Sequence, residues 1–404
     1  MKAQLFRFNR RRLLLSGGIV ALLPRRYHAA QLAAQHGELY RQLGVRPFIN
    51  AAGTYTTLTG SVVTPRVRQA MEEASRCFVP LLDLQRKVGE RIAKLLGVEA
   101  AMVTSGAAGS IMLATAACVA GKDPDKIRRI PDTTGMKNEV IIPRAHRNGF
   151  DHAARNVGVR LVEVESLDQL RHAINANTAM LFWVHINEPK GPIRRHEFLE
   201  AGKKAGVPVF NDAAAELPPP ENLSGIAREG FDLVAFSGGK GLRGPQSSGL
   251  LMGRKDLIEA AHLNNNPYAD TIARPCKVGK EEIMGLLAAV EVYLGRDHDA
   301  DQRLWRGFME SIARDLKGIP TVRTEIYVPG PGGHPIPYLR IQWDTNYLSY
   351  EACQRQLRDA EPSVEVNASA QEGLSLASYN LFPGEERIVG WRLAQILRQA
   401  IERG

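Results

Sequence analysis

FSGGKGLRGPQ, residues 236–246, follows the apolar run DLVAF (232–236) and sets one lysine, Lys240, among glycines. An apolar run that ends in small residues reads as a strand leaving the edge of a sheet. Ser237, Gly238, Gly239 and Gly241 flank the lysine, so it sits where bulk is excluded. A lysine in a loop is ordinarily solvated surface. A partly desolvated one has a lowered pKa and can attack a carbonyl to form a Schiff base. The chain on either side decides between the two.

Working outward, short apolar runs recur: AAMVTS (100–105), EVIIP (139–143), VRLVEV (159–164), AMLFWVHI (179–186), VPVFND (207–212), DLVAFS (232–237) and SGLLMG (248–253). Most are apolar throughout rather than alternating, as strands are when helices cover both faces of a sheet. Helical patterns lie between them. LLDLQRKVGERIAKLLG (81–97) puts Leu81, Leu84, Val88, Ile92, Leu95 and Leu96 on one face and stops at Gly97. The pattern predicts an α/β layered domain over residues 81–295, with a mainly parallel seven-stranded sheet. EEIMGLLAAVEVYLG (281–295) is the helix expected to lead out of it. Residues 296–404 read as a smaller α+β domain, with strands near TVRTEIYV (321–328) and PYLRIQWD (337–344) joined by the tight loop PGPGGHPIP. Residues 36–80 are expected as an N-terminal arm.

The chain of 404 residues carries a formal charge of +9. Seven basic and no acidic residues fall in residues 1–30, which leaves 45 basic against 43 acidic in the body. A near-neutral body argues against a phosphate-backbone binder. Cys77, Cys118, Cys276 and Cys353 are scattered, with no CxxC and no Cys/His cluster, so no metal site is expected. NRRRLLLSGGIVALLPRR (9–26) has a cationic start and an apolar stretch, Leu13 to Leu23, too short for a comfortable membrane span. Arg10-Arg11-Arg12-Leu13-Leu14 resembles the twin-arginine export signal. Residues 1–35 are therefore expected as an export leader. No clean A-x-A cleavage site follows; AAQLAA (29–34) is the nearest.

Three features stand at strand ends, where open α/β sheets bind ligands. In TSGAAGS (104–110), Ser105, Gly106 and Ala107 precede a helical pattern; small residues there either cup an anion or only turn the chain. Asp212 closes VPVFND and either meets a cation or caps a helix. Lys240 is the third. Together they fit one ligand, pyridoxal 5′-phosphate, which needs a phosphate cup, an anion for its ring nitrogen and an amine for its aldehyde.

The order and wording of INAAGTYTTLTGS (49–61), VTSGAAGS (103–110), NDAAAE (211–216), FSGGKGLRGPQSSGLLMGRKDLI (236–258) and CKVGKEEIMGLLAAVEVYL (276–294) resemble the fold-type-I pyridoxal-phosphate enzymes. Within them the chain is similar to the selenocysteine synthase (L-seryl-tRNA(Sec) selenium transferase) and D-glucosaminate-6-phosphate ammonia-lyase group. The resemblance runs from about Gly44 to Leu294. It implies that Lys240 is the catalytic, cofactor-binding amine and Asp212 the ring-nitrogen partner. It adds Ser237 as a phosphate ligand, His146 as a ring stacked on the cofactor and Asn187 as a contact to the cofactor's 3-hydroxyl. Arg340 and, as a rival, Arg274 are implied for a substrate carboxylate. The implied activity is an ammonia-releasing α,β-elimination on an amino acid or amino sugar acid by a homodimer or higher homo-oligomer. β-Replacement as in selenium transfer, racemisation and a non-catalytic cofactor binder stand as alternatives. The near-neutral body and export-like leader argue against a tRNA partner.

Overall fold

The computed structural model describes residues 37–330 and 333–403; the leader expected over residues 1–35 lies outside them. After β1 (Phe48–Asn50), each of the seven apolar runs forms a strand: β2 (Ala100–Ser105), β3 (Glu139–Pro143), β4 (Arg160–Val164), β5 (Thr178–Val184), β6 (Val209–Asp212), β7 (Leu233–Ser237) and β8 (Ser248–Gly253). They lie in the order β2-β8-β7-β6-β5-β3-β4. β8 runs antiparallel to both its neighbours. The remaining pairings are parallel. The carboxyl ends of β2 to β7 therefore gather on one edge, and β8 starts there.

Side chains in each strand alternate between two cores. Val103, Ile141, Leu181, Trp183 and Val234 enter one core. Met102, Val140, Met180, Phe182 and Ala235 enter the other. Helices cover both faces, which is why the strands carry few polar residues. On the first face lie α1 (Pro65–Ser75), α2 (Leu81–Leu96) and α4 (Lys280–Leu294); on the second lies α3 (Gly106–Ala120). α2 buries Val88, Ile92 and Leu96 and ends on Gly97 in the left-handed region. It also buries Gln85, whose amide donates to Val103 O at 2.9 Å and accepts from Val103 N–H at 3.4 Å. That amide stands in for the missing strand at the open edge of β2. No helix among the described residues is long and apolar enough to cross a membrane.

Beyond α4, the helices α5 (His298–Leu316) and α6 (Glu385–Arg403) back a second sheet. Its strands are β9 (Arg323–Tyr327), β10 (Tyr338–Gln342), β12 (Asn367–Ser369) and β13 (Gly373–Ala377), in the order β12-β13-β10-β9 and all antiparallel. Leu339, Ile341, Leu374 and Leu376 face the helices. Tyr327, Arg340 and Ser375 meet one another on the opposite face.

The span 36–80, expected as an arm, is instead divided between two cores. β1 pairs in parallel with β11 (Ser363–Glu365) of the small domain. Ile49 and Ala51 are buried in that domain's core, whereas Val67 and Ala70 of α1 are buried in the large one. Apolar pairing partners more than 300 residues away in the chain explain the difference, since local pattern carries no sign of them.

α2 lies so close to β2 that a Cβ at Gly89 would stand 2.1 Å from Ala101 O. Gly89→Ala is expected to lower unfolding stability by about 1–3 kcal/mol in urea titration. Gly307→Ala, on the exposed face of α5 with nothing within 4 Å, should raise it by about 0.5–1 kcal/mol.

Candidate active site

The carboxyl edge of the large sheet brings the expected residues together. β2 ends at Ser105, β6 at Asp212 and β7 at Ser237, while His146 and Asn187 lie in short 3₁₀ turns just past β3 and β5. Lys240 follows β7 by three residues. Its loop is built by contact. A Cβ at Gly238 would lie 2.0 Å from Ser248 Oγ, one at Gly239 2.5 Å from Gln246 Cα, and one at Gly241 2.4 Å from Leu217 O. The glycines are thus needed less to clear space around the amine than to let the loop close on its neighbours.

The N-terminal segment locks this loop from outside. Ser61 Oγ lies 3.0 Å from Gly239 O and 2.9 Å from Lys240 O. Tyr379 of the small domain donates to Gly241 O at 2.8 Å. Arg243 donates back to Tyr379 O, with its guanidinium 4.8 Å from that ring's centre. Asn380 donates to Gly53 O at 3.2 Å and Gly60 O at 3.1 Å.

Lys240 itself makes no side-chain hydrogen bond or ion pair among the described residues. Burial pushes its amine below the ordinary lysine range, and the nearby Asp212 and Glu216 pull it part of the way back. Asp212 is 8 % exposed. Burial raises its carboxyl, opposed by the Ala214 N–H at 3.1 Å and by the charge of Lys240. Glu216, in the turn after β6, is 5 % exposed, and burial with the adjacent Asp212 pushes it up to about 7.

At β2, Gly106 takes a φ of 67° and opens α3. Thr104 Oγ1 donates to Gly106 O at 3.0 Å and lies 2.6 Å from Ser110 Oγ, which fixes the first turn. Ser105, Gly106 and Ala107 stay partly exposed, and the Ser105 side chain caps nothing. The Ser237 side chain is likewise without a hydrogen bond among the described residues.

His146 is fully buried, packed edge-on to Trp183 at 4.2 Å. Its Nδ1 accepts from Val184 N–H at 3.3 Å, so the proton sits on Nε2, which has no partner. Burial, then the charge of Lys190, push it down to about 4, and the ring is neutral. Asn187 is committed locally: it donates to His146 O at 3.2 Å and accepts from Lys190 Nζ at 3.0 Å.

The two expected substrate arginines are less well placed. Arg340 lies on the open face of the small sheet but is ion-paired to Glu325 at 2.8 Å and stacked on Tyr327 at 4.6 Å. Arg274 follows the bridge between Asn265 and Ala273, and nothing ties it to Lys240 or Asp212. Sequence reading missed Glu216, His185 and His334. Glu216 stood in the quoted NDAAAE, and its signal was an acid in an otherwise small, apolar stretch. His334 arrives from the loop between β9 and β10, close enough for the charge of Lys240 to lower it further below the usual histidine range after burial.

An amine held below its usual range reacts as the free base at lower pH. Lys240 should therefore be labelled by a small aldehyde with borohydride at neutral pH ahead of the exposed Lys94 and Lys317. Peptide mass mapping reads this; equal rates at the three positions would contradict the assigned environment.

A model of the family described as "SelA: L-seryl-tRNA selenium transferase" matches residues 82–305. A D-glucosaminate-6-phosphate ammonia lyase of Salmonella typhimurium is 32% identical over 379 residues, covering 90% of this chain and 99% of the relative. A 5′-C-glycyluridine monooxygenase-decarboxylase of a Streptomyces species is 35% identical, covering 72% and 74%. An L-seryl-tRNA(Sec) selenium transferase of Moorella thermoacetica is 26% identical, covering 74% and 64%. Among solved structures, a D-glucosaminate-6-phosphate ammonia-lyase superposes with a TM-score of 0.80 at 31% identity over 90% of this chain and 99% of that one. A Sphingomonas wittichii serine palmitoyltransferase, at 14% identity and a TM-score of 0.55 over 89% and 88%, shares the fold. The family model spans more than half of the chain, and the Salmonella relative aligns along nearly its whole length. The chain therefore belongs to the SelA, L-seryl-tRNA selenium transferase, family, the group of fold-type-I pyridoxal-phosphate enzymes that also holds the D-glucosaminate-6-phosphate ammonia lyase.

Proposed function

We propose that this protein is a pyridoxal-phosphate-dependent ammonia lyase acting on a 2-amino-3-hydroxy acid, an amino acid or amino sugar acid. The observation that carries the reading is the unpaired, partly desolvated Lys240 amine beside the buried Asp212. The residues fit the cofactor on their own terms. Asp212 is a buried carboxyl without a cation in contact, which a protonated ring nitrogen would supply. Ser105, Gly106, Ala107 and Ser237 offer free hydroxyls and a helix start suited to a phosphate. Bound there, the cofactor supplies an electron sink for the negative charge that develops at the substrate's α-carbon.

The chain's residues do the rest. Lys240, whose amine burial holds below the ordinary lysine range, would hold the cofactor's aldehyde and take the substrate's α-proton. Asp212 would face the ring nitrogen and keep its proton in place. His146, enclosed against Trp183 and neutral, leaves the acids of the site to the other groups. Loss of the β-hydroxyl releases water; hydrolysis then takes up water, so the net products are ammonia and a 2-oxo-3-deoxy acid.

Export by the twin-arginine route belongs to the same proposal. Alignment with the Salmonella relative leaves about a tenth of this chain unmatched but almost none of the relative. The cationic start and apolar stretch of residues 9–26 support a leader, and a route that carries folded proteins suits an enzyme loaded before export. Export of a twin-lysine variant at the native level would contradict it. A homo-oligomer is also inferred: Phe78 is fully exposed, with Val79 and Leu82 beside it. Phe78→Asp should sediment as a smaller species than the native protein.

The functional test is direct. Purified protein with pyridoxal phosphate should release ammonia and a 2-oxo acid from D-glucosaminate, its 6-phosphate or serine. Lys240→Ala should lose the borohydride-sensitive visible absorbance and lower turnover by about 10²–10⁴-fold. Unchanged colour and turnover in that variant would sink the reading.

A further inference from the structure

We propose that Glu216 is a further ligand-facing acid of this site, a carboxylic acid that keeps its proton in the ligand-free protein and donates it as a hydrogen bond to the cofactor oxygen beside the carbon that Lys240 engages. The ligand half of this inference rests on the pyridoxal-phosphate reading above.

The first support is an unmet hydrogen bond. Glu216 is 5 % exposed, and its Oε1 is buried without a partner. Oε2 lies 3.9 Å from His185 Nε2, too far to bond. That nitrogen accepts from Arg195 Nη1 at 3.3 Å, which leaves the ring proton on Nδ1, facing the Asn211 amide at 3.1 Å, so Nε2 has no proton to offer Glu216. Burial, with Arg195 beside it, pushes His185 down to about 3, so it carries no charge to pair with a carboxylate. A buried polar group with unused bonding capacity is costly, and a buried carboxylate without contacts costs more than the acid. The charges facing Glu216 come from β6, the turn after β5, the lysine loop and the helix that begins at Arg195. Asp212 and Glu188 favour the proton on Glu216, while Lys240 and Arg195 oppose it.

The second support is placement. The Glu216–Leu217 turn packs on the lysine loop, where Leu217 O excludes a side chain at Gly241. A ring whose nitrogen meets Asp212 and whose aldehyde meets Lys240 runs between two groups that both act on Glu216. The sheet order then separates its edges. The start of α3, suited to the phosphate, lies toward β2, whereas Glu216 leans toward His185 and Arg195, past β5. The ring edge on that side carries the hydroxyl next to the aldehyde. Asn187, implied for that hydroxyl by resemblance, has its oxygen on Lys190 and its nitrogen on His146 O. Glu216 takes the position that Asn187 leaves.

The sign follows from linkage. A carboxyl raised in the folded protein stabilises it while protonated and loses that contribution as pH rises from its unfolded value toward about 7. Thermal unfolding of cofactor-free protein at pH 5 and pH 8 should therefore show the native chain losing more Tm than Glu216→Gln. Parallel losses would overturn the proton-holding half. With pyridoxal phosphate bound and no substrate, the pH midpoint of the visible absorbance should move by about 1–3 units in Glu216→Gln and little in Asn187→Ala. An unmoved midpoint in Glu216→Gln overturns the ligand half. Absence of any cofactor band in the native protein would instead refute the proposed function and the ligand half with it, while the thermal comparison still decides whether Glu216 holds a proton.

Discussion

A desolvated amine with no counter-ion in contact is the constraint around which this protein is arranged. Taking an ammonium out of water is unfavourable, and proteins commonly respond by pairing it or by lowering its pKa. Lys240 takes the second course. Asp212 and Glu216 are near enough to act on it through their fields but form no ion pair with it. A contact ion pair would stabilise the resting protein and remove the free base that a carbonyl needs. Keeping the acids at a distance leaves three groups without a counter-ion in contact until a ligand supplies one.

Such an arrangement holds only if the backbone around it cannot relax. The glycines on both sides of Lys240 let the loop press on Ser248, Gln246 and Leu217, so any shift of the loop meets backbone or buried side chain. A fourth clamp comes from the N-terminal segment, where Gly60 stands with φ 70° and a Cβ there would lie 2.5 Å from Gly239 O. Tyr379 and Ser61 then satisfy the carbonyls of Gly239, Lys240 and Gly241 that the sheet no longer serves. The site is thus rigid because three separated parts of the chain complete one another's hydrogen bonds, and the small domain is tied to the lysine through one of them.

What the sequence made legible follows from which forces are local. The seven strands were readable because both faces of the sheet are covered, so Met102 and Val103, or Phe182 and Trp183, are apolar in succession. Strand ends were readable to within two residues, and with them the edge where Ser105, Asp212, Ser237 and Lys240 meet. β1 was not, because three residues pair with a strand more than 300 positions later. Neither was Glu216, since nothing local says that its carboxyl would be 5 % exposed with one oxygen unpaired. The roles suggested for Arg340 and Asn187 came from resemblance to a family. The geometry shows each already engaged, by Glu325 and Tyr327 in one case and by Lys190 and His146 in the other.

Relatives that cover most of this chain bear the names of a lyase, a selenium transferase and a monooxygenase-decarboxylase. A shared amine and acid at the sheet edge set up charge at one substrate carbon but leave its fate open. The groups around that pair differ in how far they are already committed in this chain. In the small domain and the lysine loop, Arg340 is paired with Glu325, Arg243 donates to Tyr379 O, and burial holds His334 below the usual histidine range.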